Sequence, residues 1–455
     1  MSMEDNKARS TGKPLQRISW GQKMKDGQRW FKDTAEFYFS NSRFYGGSSN
    51  HGRGRNLQML YDVYNNKFPS SWFSHFTNPL SSTEAQHRKL PAKIRPTTIL
   101  RANIDLLFGE YPNRPFAYQV ENLGEEGYNE FTEQLNNKVN GNLSNHFYQQ
   151  YLLEMEAQGQ PIEEAPDPSS IPLPDQVERD TLSSFKDKYA VKAQKWMTRA
   201  RREYGIDETR FKMFKDWGIV GEAYSYKGFR GGVFKYERVS PLRVDYDKSE
   251  DQDYIEDGEW VVRRRDMVLS QVVDDYYTSL TPKNIDDLER AGIYSSPQSF
   301  YDWFSSQTDS THIPVYHVQW KGLKEILYVT GTDEMGQPYE DIQDEDYILG
   351  PDEKVTKREW VSEVYEATRI WDDIWVDMRA VEVQRNAMNN FSYCKLNYNG
   401  KKYSDTHSVN ISPLEMGIPF QIMYIIVNYV KEKMLAKSKG NVVLFDKNAI
   451  PTGKG

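Results

Sequence analysis

The chain has 455 residues, room for two to four domains of about 100–200 residues each, with 27% charged residues, 14% aromatics and a formal net charge of −8. That balance excludes a protein that wraps nucleic acid by overall charge, since phosphate neutralisation favours basic chains. The single cysteine, Cys394, excludes an intrachain disulfide and fits a reducing compartment.

Residues 1–20 are polar and read as a disordered arm. "MSMEDNKARSTGKPLQR" has no apolar core of the kind a secretory signal needs. Residues 21–90 mix aromatics with Gly, Asn and Ser and predict short helices and long loops. In "KLPAKIRPTTILRANIDLLFGEYPNRPFAYQV", Leu100, Ile104, Leu107 and Phe108 fall at helical spacing. Pro96 fits a first turn, Gly109 a stop, and "RPFAYQV" reads as a strand. "PIEEAPDPSSIPLP" holds five prolines and three acids and predicts an extended surface insertion at about 150–176.

From about Gln176 to Gly218 the pattern is helical, with Phe185, Tyr189, Ala193, Trp196 and Ala200 on one face. Residues 219–265 alternate as strands, with "RGGV" as a hairpin turn. They end in "VVRRR", where Arg263, Arg264 and Arg265 suit either a strand end with outward arginines in ion pairs or a phosphate contact. A helix is expected from about Asp266 to Leu280, and a short one in "SPQSFYDWFSS". Residues 312–412 are rich in aromatic and β-branched strand candidates. Inside them, Asp333–Glu353 carries nine acids and no Lys or Arg. The last helix is expected from about Pro419 to Ser438, about 30 Å long. Phe420, Met423, Val427, Val430 and Met434 lie on one side, and Lys431, Lys433, Lys437 and Lys439 crowd its end, where cations complement the helix dipole. "IPFQIMYIIVNYV" within it is too short and interrupted to span a bilayer.

No phosphate-binding loop, dinucleotide fingerprint, zinc-protease motif, nucleophile elbow or cysteine pair occurs. His312 and His317 do not share a strand face, and the acid pairs in "VDDYY", "WDDIW" and "QDEDY" have no basic or glycine-rich companion to hold a phosphate. Solvated loops are the expected reading, with no catalytic residue, metal or cofactor.

The order "KLPAKIRPTTILRANIDLLFGEYPNRPFAYQV", "GIVGEAYSYKGFRGGVFKYERVSPLRVDYDKS", "IEDGEWVVRRRDMVLSQVVDDYY" and "SPLEMGIPFQIMYIIVNYVKEKMLAKSKGNVVLFDKNAIP" resembles the portal proteins of tailed bacteriophages, closest to the short-tailed, crAss-like group. The likeness spans roughly residues 30–455. It implies an α+β subunit of a dodecameric ring at one capsid vertex, assembled in the host cytoplasm and carried in the virion. It further implies a mixed α/β wing at 21–265, helices including a first stem helix at 266–311, a β-rich clip at 312–412, and a second stem helix at 413–440. Residues 441–455 would begin further wing, with more chain expected beyond them.

The partners implied are the major capsid protein, the terminase large subunit, then tail adaptor or connector proteins, and double-stranded DNA passing without sequence specificity. No membrane is involved. On this reading the clip docking surface would include Asp333, Glu334, Glu340, Asp341, Asp344, Glu345 and Asp346. Lys431, Lys433, Lys437 and Lys439 would face the DNA channel, and Arg263, Arg264 and Arg265 would serve wing or intersubunit contacts. Another head–tail connector or tail protein, and a nucleic-acid-processing enzyme, are the alternatives.

Overall fold

The computed structural model describes residues 12–45, 51–73, 96–114, 116–122, 124–158, 174–185, 187–249, 251–294, 312–332, 337–371, 373–387, 390–402 and 410–437. Met1–Asn113 together with Glu208–Gly455 form one compact unit, and Arg114–Asp207 a second.

The first unit is organised by its strands. β1 (Tyr224–Arg230) and β2 (Val233–Val239) make the hairpin expected at "RGGV". Gly231 and Gly232 turn it with φ of 55° and 73°, the left-handed pair that a two-residue hairpin needs. β3 (Val244–Tyr246) and β4 (Trp260–Met267) follow. Then come β5 (Ile313–Thr332), β6 (Pro338–Asp344), β7 (Lys354–Ile370) and β8 (Ile374–Ala380). The main sheet is antiparallel in the order β3-β4-β5-β7-β8, with β6 added at the far end of β5. After β9 (Arg385–Ala387) and β10 (Asn390–Lys395), β11 (Tyr398–Gly400) returns to pair with β1.

β5 is buried on both faces at its centre, where Val315, Val318 and Trp320 are inaccessible to solvent. Its two-residue period turns Val318 and Trp320 toward one layer and Val315, His317 and Gln319 toward the other. The first layer is α2 (Lys25–Asn41), preceded by the single turn α1 (Trp20–Lys23). Trp30, Phe31, Ala35, Tyr38 and Phe39 of α2 pack on Val262, Val318, Trp320, Tyr365 and Ala367. Trp30 and Phe31 meet Tyr365 edge-on at 5.5 and 5.7 Å between ring centroids, the geometry that ring quadrupoles favour.

Lys23 is buried here. Its ammonium donates to Tyr365 Oη (2.8 Å) and to the Leu323 carbonyl, over the Trp30 and Tyr365 rings. Burial brings it down to about 8, against the pull of Glu363 and Glu345. The described part of the expected N-terminal arm is docked rather than disordered, because Trp30 Nε1 donates to the Leu15 carbonyl (2.8 Å) and Lys13 pairs with Glu259.

The opposite layer holds α9 (Leu269–Tyr276) and α10 (Pro282–Tyr294), reached after three helices introduced below. The helix expected over 266–280 is therefore shorter, because β4 carries the chain to Met267. "SPQSFYDWFSS" lies outside the described residues. Met267, Val272, Tyr276 and Leu288 close this side against Ile313, Val315 and Ile370. The strands of 312–412 thus share one sheet with β4 of the 21–265 segment, and no structural break falls between the two.

A helical cluster completes the unit. α3 (His51–Tyr64), α4 (Leu100–Glu110), α8 (Ile206–Val220) and α11 (Pro413–Lys437) bury Leu57, Leu60, Ile104, Phe108, Ile219 and Leu414 together. α8 stops at Gly221 (φ 77°), where a Cβ would stand 1.8 Å from the Asn410 carbonyl oxygen. α11 starts at Pro413, not near Pro419. "SPLE" is a capping signal, with Ser412 Oγ accepting from the Glu415 amide at 2.9 Å and proline at the first helical position. Gln421 of α11 caps α4 in turn. Its Oε1 accepts from the Ile99 and Leu100 amides (3.1 and 2.9 Å), and its Nε2 donates to the Thr97 carbonyl (2.7 Å).

The second unit is helical, with α5 (Glu125–Ala157), α6 (Pro174–Ser184) and α7 (Lys188–Glu203). Residues 150–157, expected within the proline-rich insertion, belong to α5. Residues 159–173 of that insertion lie outside the described residues. Asp187 caps α7 by accepting from the Tyr189 and Ala190 amides at 2.6 and 3.4 Å. The strand expected at "RPFAYQV" does not form. The Gln194 side chain of α7 takes the place of a partner strand, accepting from the Val120 amide (3.0 Å) and donating to the Tyr118 carbonyl (3.1 Å). Trp196, expected on a buried face, is 68% exposed.

Candidate functional site: an arginine-lined cleft

β3 pairs only with Val261–Arg263 of β4, so the stretch Arg264–Met267 is held by β5 on one side and by no named strand on the other. Beside that open edge lies a cleft of about 670 Å³, within the size range of ligand-binding clefts. Arg230 and Arg238 reach it from the β1–β2 hairpin, Arg243 from the turn before β3, and Arg263–Arg265 from β4.

Three carboxylates hold five of these guanidiniums. Glu237 pairs with Arg263 (2.8 Å) and Arg230 (3.2 Å). Asp275 of α9 pairs with Arg265 (3.1 Å) and Arg230 (3.6 Å). Asp266 pairs with Arg264 (3.0 Å) and Arg243. Arg238 forks onto the buried Asp216 of α8. Burial alone would raise Glu237, but Arg263, Arg230 and Arg265 outweigh it and bring the carboxyl to about 2. Asp266 is likewise held low by Arg264 and Arg243 against its burial.

The arginine triplet is thus brought together, but not as outward side chains. Arg263 is 8% exposed, and the strand's period sends Arg263 and Arg265 inward with Val261. Ion pairing within the chain, one of the two readings of "VVRRR", is what the geometry contains. Arg230, Arg238, Arg243, Glu237 and Asp275 were not singled out by sequence. Their only signal was the density of charge between Arg230 and Arg265.

The acidic candidates form one exposed surface. Glu340, Asp341 and Asp344 lie on β6, and Glu345 and Asp346 in the turn after it. Asp344 pairs with Lys324 (2.8 Å), and Glu345 accepts from the Trp20 amide (2.7 Å). Asp333 and Glu334 lie outside the described residues. Among the lysines, Lys431 is exposed on α11. The backbones of Lys433 and Lys437 belong to the same helix, their side chains are outside the description, and Lys439 is wholly outside it.

α11 turns Leu414, Gln421 and Ile425 inward. The stripe expected to be its apolar side faces out, with Phe420 74%, Met423 63%, Val427 61% and Met434 67% exposed.

His317 is buried between Tyr398 Oη (2.6 Å from Nδ1) and Glu366 (3.3 Å from Nε2). Burial lowers its pKa despite Glu366. Among the described residues no three His, Cys, Asp or Glu side chains gather as a metal site, and no helix is long and apolar enough to cross a membrane.

No family model matches the chain. It is similar to the portal protein of Bacteroides phage crAss001, with 24% identity over 439 aligned residues covering 87% of this chain. The chain spans about half the length of that curated relative, 52%. The resemblance read from the order of the segments is borne out by this match.

Proposed function

We propose that this chain is a portal protein subunit, part of the ring at one capsid vertex through which double-stranded DNA is packaged and later ejected. The observation that carries the reading is the likeness to the crAss001 portal protein along 87% of the chain. The outward apolar stripe of α11 supports it physically. A contiguous exposed apolar face marks an interaction surface, and a closed ring supplies a copy of the chain on each side. The role is structural, not catalytic.

In its finer form the proposal is a dodecamer in the virion, assembled in the host cytoplasm and seated in the major capsid protein. Residues 21–265 supply a wing, helices within 266–311 a first stem element, 312–412 a clip, and 413–440 a second stem helix. The acids from Glu340 to Asp346 form the clip surface that receives the terminase large subunit and afterwards the tail adaptor. Lys431, Lys433, Lys437 and Lys439 face the channel and touch DNA only locally, since charges are screened beyond about 8 Å at physiological salt. A net charge of −8 per copy keeps the walls from gripping the duplex.

Electron microscopy of the purified protein tests the reading. Rings with a central channel are expected, and only monomers or dimers at every concentration would overturn it. For the lysines, Lys433→Ala with Lys437→Ala should leave rings intact and alter DNA retention, more so at low salt. Wild-type retention at every ionic strength would make them a helix end and nothing more.

A further inference from the structure

We propose that the arginine cleft is a carboxylate socket for a second copy of this chain, and that the segment entering it is the acidic strand and turn Glu340–Asp346. The inference rests on the portal reading and names a contact between neighbours in the ring.

The cleft lacks acceptors. Glu237, Asp275 and Asp266 are each shared by two arginines. Arg263 Nη1 and Arg265 Nε are buried with no hydrogen-bond partner among the described residues. A buried donor left unsatisfied is costly, and an arginine fork is best met by a carboxylate or phosphate. Further oxyanions would supply what three shared carboxylates do not.

The occupant must be slender. Arg230 and Arg263 are 7% and 8% exposed, so only side chains from a strand or turn can reach them. A duplex, whose major groove alone is about 12 Å wide, can offer phosphates to the rim but not to the floor.

The chain carries a matching piece at a distance from the cleft. β6 pairs only with β5, at Ile326–Thr332, and leaves its outer edge open. Glu340, Asp341 and Asp346 are exposed and form no ion pair among the described residues. The cleft lies beside the stretch of β4 that pairs with Ile313–Tyr316 of β5. Ten residues of strand, about 33 Å, therefore separate the two surfaces, and the acidic segment cannot fill its own chain's socket. Complementary patches at opposite ends of one subunit make a head-to-tail contact, the kind that closes into rings.

A labelled peptide of residues 337–348, QPYEDIQDEDYI, titrated into the full chain at concentrations where it is monomeric, reads the socket by fluorescence anisotropy without depending on rings. Saturable binding is expected, weakened about tenfold or more by Lys235→Glu at the rim. Absence of saturation, no change with Lys235→Glu, or displacement by a short DNA duplex at lower concentration than unlabelled peptide would overturn the proposal. The last result would make the cleft a nucleic-acid site. In the full chain, Glu340→Lys with Asp341→Lys and Asp346→Lys should raise the concentration needed for rings about tenfold. Rings at the wild-type concentration would sink the socket and leave the portal reading standing. Peptide binding without rings in the wild type would support the socket and remove the portal reading.

Discussion

Helices α2 and α11 draw on the same apolar residue types and use them in opposite ways. In α2, Phe31, Ala35 and Tyr38 are at most 1% exposed against the sheet. In α11, Ile425 is 1% exposed while Phe420 and Val427 on the other side are 74% and 61% exposed. α2 has one apolar face and one neighbour. α11 is apolar on two faces, and this fold supplies a neighbour for one of them. A helix apolar all round belongs in an interior, and for α11 that interior is completed by something outside the chain.

The contrast is broken most forcefully at the sheet. Trp320→Ala removes the largest fully buried side chain from the α2 layer and should cost about 3–5 kcal/mol, read by denaturant titration. A loss under about 1 kcal/mol would mean that this layer is not the core.

Next is Lys23, whose folded pKa of about 8 lies below its ordinary 10.5. Below pH 8 both states carry the proton. Between pH 8 and 10.5 the unfolded chain holds it and the folded chain does not, so stability should rise with pH in that window, by no more than about 3 kcal/mol. Lys23→Met should flatten the rise, and an unchanged slope would place the ammonium in solvent.

Glu237 gives the mirror image. Its folded pKa of about 2 lies below the ordinary 4.5, so its contribution is complete above pH 4.5 and disappears as pH falls toward 2. With its side chain 31% exposed, solvent screening trims the effect to about 2 kcal/mol. Glu237→Gln should abolish that part of the acid limb in a pH series of melts, and an unaltered limb would count against the shared ion pairs.

The smallest effect on stability belongs to α11. Met423→Ser with Val427→Ser should shift monomer stability by about 0.5 kcal/mol or less, yet impair assembly in native mass spectrometry. Unimpaired assembly would make the stripe idle surface.

Sequence reading succeeded where the signal is local. "RGGV" demands a two-residue turn, and Ile104 and Phe108 face the interior of α4 as their spacing requires. It failed where partners are remote. α5 was not anticipated, since "NNKVNGNLSNH" has little apolar periodicity. "RPFAYQV" has strand residues, but its backbone partner is one glutamine side chain 74 residues from Val120. At the cleft, the three arginines were visible and their burial was not. Glu237 and Asp275 meet them through the packing of the hairpin and α9 against β4, which no spacing along the chain encodes.

The cap on α4 bears on how the chain matures as it is made. Leu100 receives its acceptor from Gln421, 321 residues later. At roughly 5–20 residues per second of synthesis, the ribosome needs about 15–60 s to supply it. Until then the start of that helix has only water for its amides, and β1 waits nearly as long for β11. The early segments of this chain cannot reach their final form until almost all of its described length has been translated, which leaves them dependent on chaperones during that interval.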